Sequence, residues 1–319
     1  MRLKTWLACA AAALLPPLAA AQDGWPTRPV RLLVAFPAGA PGDVIARLVQ
    51  PALQQALGQP VLVDNKPGAS GNIGAGEVVR ATDGHTVLVG PDTIFTVNPH
   101  VYRKLPFDPA RDLVPVTQLA SFSQMLVCHP GTGWRGLPAL LDASRGKALS
   151  YASGGPGVPG HMAMEMLLAA TQTQMQHVAY RGPGPAMQDV LGGSVPCGFL
   201  ASPVVGPLVQ DGKLLALAVS GSKRLVSHGS VPTVAEGGVK DYDATFTEML
   251  AMPRGTPPAV LQKLQREVAR ALAAPEVRSR LAVLDLEPLA NTPEEAARSI
   301  AAEHARWGTV AQRIRLQLD

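Results

Sequence analysis

Along this chain, short runs of apolar β-forming residues alternate with longer stretches in which apolar positions recur every three to four residues. The first pair sets the pattern. Residues 30–35, Val-Arg-Leu-Leu-Val-Ala, read as a buried strand, and over 43–57 Val44, Leu48, Val49, Leu53 and Leu57 fall on one helical stripe. Pro51 lies inside that stretch, so a kink or break is expected there. Further strands are expected at 61–64, 86–90, 124–129, 176–180, 197–200 and 214–220. Further helices are expected at 72–81, 137–144, 161–170, 184–191, 204–210, 258–273, 275–284 and 293–312. In the last helix Glu294 and Glu295 come first and Arg298 and Arg306 later, an order that suits the helix dipole on a solvated face. The alternation predicts an α/β fold built on largely parallel strands.

The amino terminus breaks this pattern. Arg2 and Lys4 precede an apolar run over 6–18 and then Ala19-Ala20-Ala21, the layout of a secretory signal peptide over residues 1–21 with cleavage after Ala21. The run is too short for a membrane span and is interrupted by Pro16-Pro17. The expected localisation is therefore the periplasm, and Cys9 leaves with the signal. Cys128 and Cys197 remain, as a disulfide or as two buried thiols; the sequence leaves both open.

The chain has 319 residues, of which 47% are hydrophobic and 16% charged, enough for two domains with real cores. Its formal charge of +4 falls by two when Arg2 and Lys4 are removed. A nearly neutral mature chain without a basic run excludes a nucleic-acid footprint.

The 31 glycines and 30 prolines cluster where strands give way to helices. Four junctions stand out: FPAGAPGD (36–43), NKPGASGNIGAG (65–76), YASGGPGVPGH (151–161) and YRGPGPA (180–186). Any one of them alone is explained as a tight turn. Four, each entering a helix, suggest main chain left bare so that free N–H groups at helix starts can hold an anion.

Enzyme motifs are weaker. Gly68-x-x-Gly71-x-x-Gly74 is neither a dinucleotide fingerprint nor a P-loop. The seven histidines show no metal-ligand spacing, and Cys128 and His129, as strand neighbours, point to opposite faces. Ser153 and His161 sit on one loop, but no G-x-S-x-G elbow presents the serine. No enzyme activity, cofactor or metal is expected; a serine-type hydrolase remains the weakest alternative.

At WPTRPVRLLVAFPAGAPGDVIARL (25–48), LGQPVLVDNKPGASGNIGAGEVV (57–79), LSYASGGPGVPGHMAMEM (149–166), HVAYRGPGPAMQDVLGG (177–193) and PRGTPPAVLQKL (253–264) the chain resembles the Bug family of extracytoplasmic solute receptors, the binding proteins of tripartite tricarboxylate transporters. The resemblance runs in order over nearly the whole mature chain. It implies a two-lobed periplasmic-binding-protein-like α/β fold (type II), with two hinge strands and a ligand cleft between the lobes. By this analogy residues 22–124 and 247–319 form lobe 1 and residues 125–246 form lobe 2. It implies a monomer that captures a small organic carboxylate and delivers it to membrane permease subunits; a sensory adaptor presenting ligand state to a membrane kinase is the alternative.

Carried over by position, the ligand-binding residues are Ala38, Gly39 and Asp43 from the first loop, with Asp43 as helix-capping acceptor, and Gly68, Ser70, Gly71 and Asn72 from the second. Ser153, Gly157, His161, Tyr180 and Arg181 come from the other lobe. The chain also departs from the family pattern. Where the family reads Gly-Gly-x-Thr/Ser-Asp, this chain has Gly39-Ala40-Pro41-Gly42-Asp43, which lacks a hydroxyl. Pro156-Gly157-Val158 replaces Asn-Gly-Thr/Ser, Leu200-Ala201 replaces Asp-Asn, and Thr247 followed by Glu248 stands near a usual Trp. These losses predict a less polar pocket, suited to an aromatic or short branched monocarboxylate over citrate. With Leu200 in place of an acid, they also weigh against an amino acid, whose ammonium needs a carboxylate partner.

Overall fold

The computed structural model of the chain describes residues 24–319; the expected signal peptide, with Cys9 in it, lies outside the described residues. In chain order the first lobe opens with β1 (Val30–Val34), α1 (Pro41–Leu57), β2 (Val61–Asn65), α2 (Asn72–Arg80), β3 (Thr86–Pro91), the short helices α3 (Thr93–Thr96), α4 (Asn98–Val101) and α5 (Pro109–Asp112), and the long β4 (Leu113–Cys128). The second lobe follows with α6 (Leu137–Gly146), β5 (Ser150–Ser153), α7 (Pro159–Thr171), β6 (Gln176–Ala179), α8 (Pro183–Leu191), β7 (Cys197–Ala201), α9 (Ser202–Gln210) and β8 (Leu215–Val219). The chain then returns through β9 (Thr245–Pro253) to α10 (Pro258–Ala273), α11 (Pro275–Val283), β10 (Glu287–Pro288) and α12 (Pro293–Ile314).

The strands lie in the order β2-β1-β3-β9-β4-β7-β5-β6, with β8 and β10 also pairing with β4. β1 runs parallel between β2 and β3, and β5 runs parallel between β6 and β7. Strands covered on both faces read as continuous apolar runs, and Val30, Leu32, Leu33 and Val34 are buried. Each such side chain contributes roughly 1.5–3 kcal/mol by leaving water.

β4 joins the two halves. From Leu113 to Ser123 it pairs antiparallel with β9, and from Gln124 to Cys128 it pairs antiparallel with β7. The sequence pattern marked only this last part as strand. β5, β9, β10 and the three short helices were not expected either.

α1 differs from its expected stripe. Ile45, Val49 and Leu53 are its buried line, while Val44 and Leu48 are only partly covered. Pro51 does not break the helix. It and Arg47, whose carbonyl loses its donor, lie on the exposed side, where water can satisfy that oxygen.

α12 is closed at its start by a capping box between Thr292 and Glu295 and packs Trp307 flat against Phe246, ring centres 5.2 Å apart. Its polar face is not merely solvated, because Arg306 Nη1 donates to Asp243 O at 2.8 Å. Cys128 and Cys197 face each other in register across β4 and β7 as free, buried thiols. Among the described residues no helix is long and apolar enough to cross a membrane.

Candidate functional site

Between the halves lies a cavity of about 40 Å³ open to water-sized molecules, walled from both sides. The first lobe contributes Phe36, Ala40, Pro41, Phe122 and Glu248; Gly154, Val158, Pro159, Gly160, Pro183 and Phe199 come from the second. At this size it has no room for an organic acid as it stands. Two wider grooves, of about 510 and 640 Å³, flank the crossing strands, but no residue of the four glycine-rich junctions borders either.

Those junctions do gather at the cleft. Three of them wall the cavity, and the fourth reaches across it through Ser70, whose hydroxyl donates to Pro156 O. Gly182 packs so tightly on the opposite lobe that a Cβ there would lie 2.6 Å from Pro37 Cγ. α7, α8 and α9 all start at this wall with Pro in the first turn and no side-chain cap. Their first-turn N–H groups have no intrahelical acceptor, which makes the second-lobe wall electropositive.

The first loop behaves otherwise, and here the sequence-based expectation is corrected. FPAGAPGD does start a helix at the cleft, but its Gly39 and Ala40 amides already serve the protein. Gly39 N donates to Asp43 Oδ2 at 2.9 Å and Ala40 N to Pro37 O at 3.2 Å. Asp43 is buried and also accepts from Arg47 Nε and from Asn65 Nδ2. Burial pushes its carboxyl up, but the bonds from Arg47, Gly39 and Asn65 outweigh it and hold the group below the usual carboxylate range. Asp43 is a structural clamp with no free lone pair aimed at the cleft, while Ala38 and Gly39 lie exposed at the rim.

None of the twelve residues expected to bind ligand lines the cavity itself. Gly68 and Gly71 shape the second loop with positive φ, and Asn72 is tied to Asn98 Nδ2 at 2.7 Å. Ser153 is fully buried and bonds His177 Nε2 at 2.7 Å, not His161. His161 Nδ1 accepts from Gly157 N at 2.8 Å, and its ring stacks on His177 at 3.9 Å. Burial lowers the pKa of His161 to about 3, with His177 adding to it, and burial lowers that of His177 to about 4, so both are neutral packing groups. A buried serine whose hydroxyl also donates to Gly155 O offers no accessible nucleophile. Tyr180 donates to Asp189, and Arg181 is exposed without an ion pair among the described residues.

Two polar residues that the sequence did not assign do reach the cavity. Gln124 sits where β4 leaves β9 for β7, and Glu248 sits in the middle of β9 opposite Pro91 and Ala120. Both are 3% exposed, and Gln124 Nε2 and Glu248 Oε2 have no hydrogen-bond partner. Burial drives the Glu248 carboxyl well above its ordinary range, nearby Asp92 adds to this, and the Gly42 amide facing it pulls the other way. The only sequence signal was that Thr247 and Glu248 stand where the family pattern differs. Among the described residues no group of His, Cys, Asp and Glu is arranged to hold a metal.

The sequence pattern of the family described as "Tripartite tricarboxylate transporter family receptor" (TctC) matches residues 45–316. The chain belongs to this family. The receptor is similar to BugT of Bordetella pertussis, with 32% identity over 307 residues covering 95% of this chain and 94% of that protein. It is also similar to Rpa4515 of R. palustris, solved with adipate (TM-score 0.88, 32% identity, 92% of this chain and 99% of that one). A third similar protein is MatC of Rhodopseudomonas palustris, solved with bound malate (TM-score 0.85, 29% identity, 90% and 99%). The receptor thus shares the two-lobed periplasmic-binding-protein architecture with its cleft between lobes, and its family is one of binding proteins, not enzymes.

Proposed function

We propose that this protein is a periplasmic receptor whose lobes close on a small organic carboxylate with an apolar body and present the closed form to the permease subunits of a tripartite tricarboxylate-type transporter. The observation that carries this reading is the cavity between lobes, lined by Phe36, Phe122 and Phe199 and facing the uncapped starts of α7, α8 and α9. The adipate and malate in related structures support a carboxylate as the ligand class.

The mechanism is a population shift. A ligand that touches both walls binds the closed form better than the open form, and stabilises it by that difference. The lobe limits that fit are 22–124 with 247–319, and 125–246; the change of β4 partners between Ser123 and Gln124 supports them. The mature protein acts as a monomer after cleavage behind Ala21.

Thermal melting of the mature protein against a panel of small mono- and dicarboxylates tests this reading. A true ligand at a hundred times its Kd adds about 2.7 kcal/mol of stability. A panel in which no carboxylate shifts the melting temperature refutes it.

A further inference from the structure

The smaller of the two grooves beside the crossing strands, of about 510 Å³, is bordered by both lobes: Ser121, Arg278 and Glu287 belong to the first, Lys223 and Val226 to the second. At its lip the lobes are tied together. Ser227 N donates to Asp285 Oδ1 at 2.8 Å and Ser227 Oγ to Ala282 O at 3.1 Å, while His228 Nδ1 lies 2.8 Å from Asp285 Oδ2. The side chains of His228 and Asp285 are both buried, so this junction is built into the protein and is no passing surface contact. Beside it stand two bare valines, one from each lobe: Val226 is 92% exposed and Val283 60%, more than any other large apolar side chain among the described residues. A single exposed valine needs no explanation. Two that flank a buried polar junction form one patch, and it is continuous only while the lobes keep this relation.

The charges around the patch are unbalanced. Lys223, Arg278 and Arg280 are exposed and form no ion pair among the described residues, whereas Arg224 is spent on Glu236. Of the acids that border the groove, Asp285 is engaged through both oxygens, which leaves Glu287. We propose that this face is where the receptor docks on its permease: an acidic segment of a permease subunit lies in the groove and sets an apolar side chain against Val226 and Val283. This rests on the receptor reading proposed above and names the surface through which its partner reads it. An apolar centre with a charged rim is the anatomy of a specific interface, and unpaired cations select an acidic partner. A second copy of this chain would bring the same cations against these, and a lipid surface is too flat to enter the groove. Because each lobe supplies a valine and a cation, the partner senses how the lobes stand without touching the ligand.

The test is photo-crosslinking of the full chain in its own bacterium, in cells whose membranes are shown by mass spectrometry to contain the permease subunits. A benzophenone side chain replaces Val226 or Val283 in turn, and for comparison Leu62, about as exposed on β2, or Ala38 at the cleft rim. Val226 and Val283 are each expected to yield adducts that mass spectrometry identifies as a permease subunit, at five-fold or more the yield from Leu62. Lys223→Glu combined with Arg278→Glu is expected to cut that yield at least five-fold while the melting temperature of the protein stays unchanged. Adducts to another copy of the chain or to lipid in place of the permease overturn the proposal, as does an unchanged yield in the folded charge-reversed variant. Permease adducts from Ala38 or Leu62 but not from Val226 and Val283 sink this surface alone and leave the receptor standing. Permease adducts from none of the four positions sink the surface too, and the carboxylate melting panel then decides the receptor reading separately.

Discussion

The hydroxyl of Ser70 donates to the carbonyl oxygen of Pro156 across the cleft, and Tyr102 Oη donates to the same hydroxyl at 2.9 Å. Ser70 is therefore a latch between lobes, held in line by a neighbour from its own lobe. Such a bond contributes about 0.5–1.5 kcal/mol net. Ser70→Ala is expected to weaken ligand affinity by roughly two- to ten-fold through the open–closed equilibrium, and to expand the ligand-free protein in small-angle scattering. An unchanged affinity and scattering profile would remove the latch from the closure mechanism.

Asp43 and Arg47 are not equal partners. Asp43 is buried and holds Gly39, Arg47 and Asn65 together, whereas Arg47 is half exposed. Asp43→Ala is expected to cost about 1.5–3 kcal/mol in urea unfolding, since the Gly39, Arg47 and Asn65 donors lose the buried carboxylate they share. Arg47→Ala should cost no more than about 1 kcal/mol. Equal losses would mean that the ion pair, not the loop clamp, is what matters.

Two glycines at the second-lobe wall make a matched pair. A Cβ on Gly160 would lie 2.1 Å from Phe199 O, so α7 would have to lift off β7. Gly184, in the first turn of α8, has nothing within 4 Å of a Cβ. Gly160→Ala is expected to destabilise by about 2 kcal/mol or more. Gly184→Ala is expected to be neutral or to stabilise by up to about 1 kcal/mol. Denaturation midpoints of the two variants decide.

Stability should depend on pH from two sides. Burial raises Asp92 to about 7, with Glu303 adding to it and Thr247 and Arg306 opposing. Between its ordinary range near 3.8 and about 7 the folded protein binds a proton that the unfolded chain has released, so this group makes stability fall as pH rises. His161 and His177 act oppositely. Between 6.5 and about 3 or 4 the unfolded chain takes up protons that the folded one refuses, so stability falls as pH drops. Asp92→Asn should gain on the parent protein in urea midpoint from pH 4 to pH 7, and His177→Asn should flatten the acid limb. Parallel curves for parent and variants would discard these assignments.

The buried thiols give a simpler check. Cys128 and Cys197 are fully covered, and burial pushes the Cys128 thiol up. A thiol reagent is expected to find none in the folded mature protein and two after denaturation without reductant. Two missing thiols after denaturation would indicate a disulfide across β4 and β7.

The parallel strands and their helices were legible because each carries one clear period: β1, α1, β3 and α10 lie within two residues of where the apolar pattern puts them. β4 and β9 were not. Their polar residues, Thr117, Gln118, Ser121 and Ser123 on one and Thr247 and Glu248 on the other, interrupt the apolar pattern just where the strands cross between lobes and meet the cleft. The site was legible by loop and not by residue. Glycine and proline mark where the backbone comes close, but sequence does not tell whether an amide faces the cavity or, like Gly39, already faces Asp43. Glu248 was hidden for a related reason, since a lone acid inside a strand carries no spacing with which to recognise it.

The return of the chain through β9 has a consequence for how the molecule is made. β3 is buried at all six positions and takes its outer partner from β9, not from β4. Until residues 245–253 have left the ribosome, the three strands made first expose an apolar, unpaired edge. The middle of the chain, by contrast, holds β5, β6, β7 and β8 and the end of β4 that they need. The central strands thus have their partners in hand well before β3 does, and the sheet of the first three strands is completed only by a segment from the last quarter of the chain.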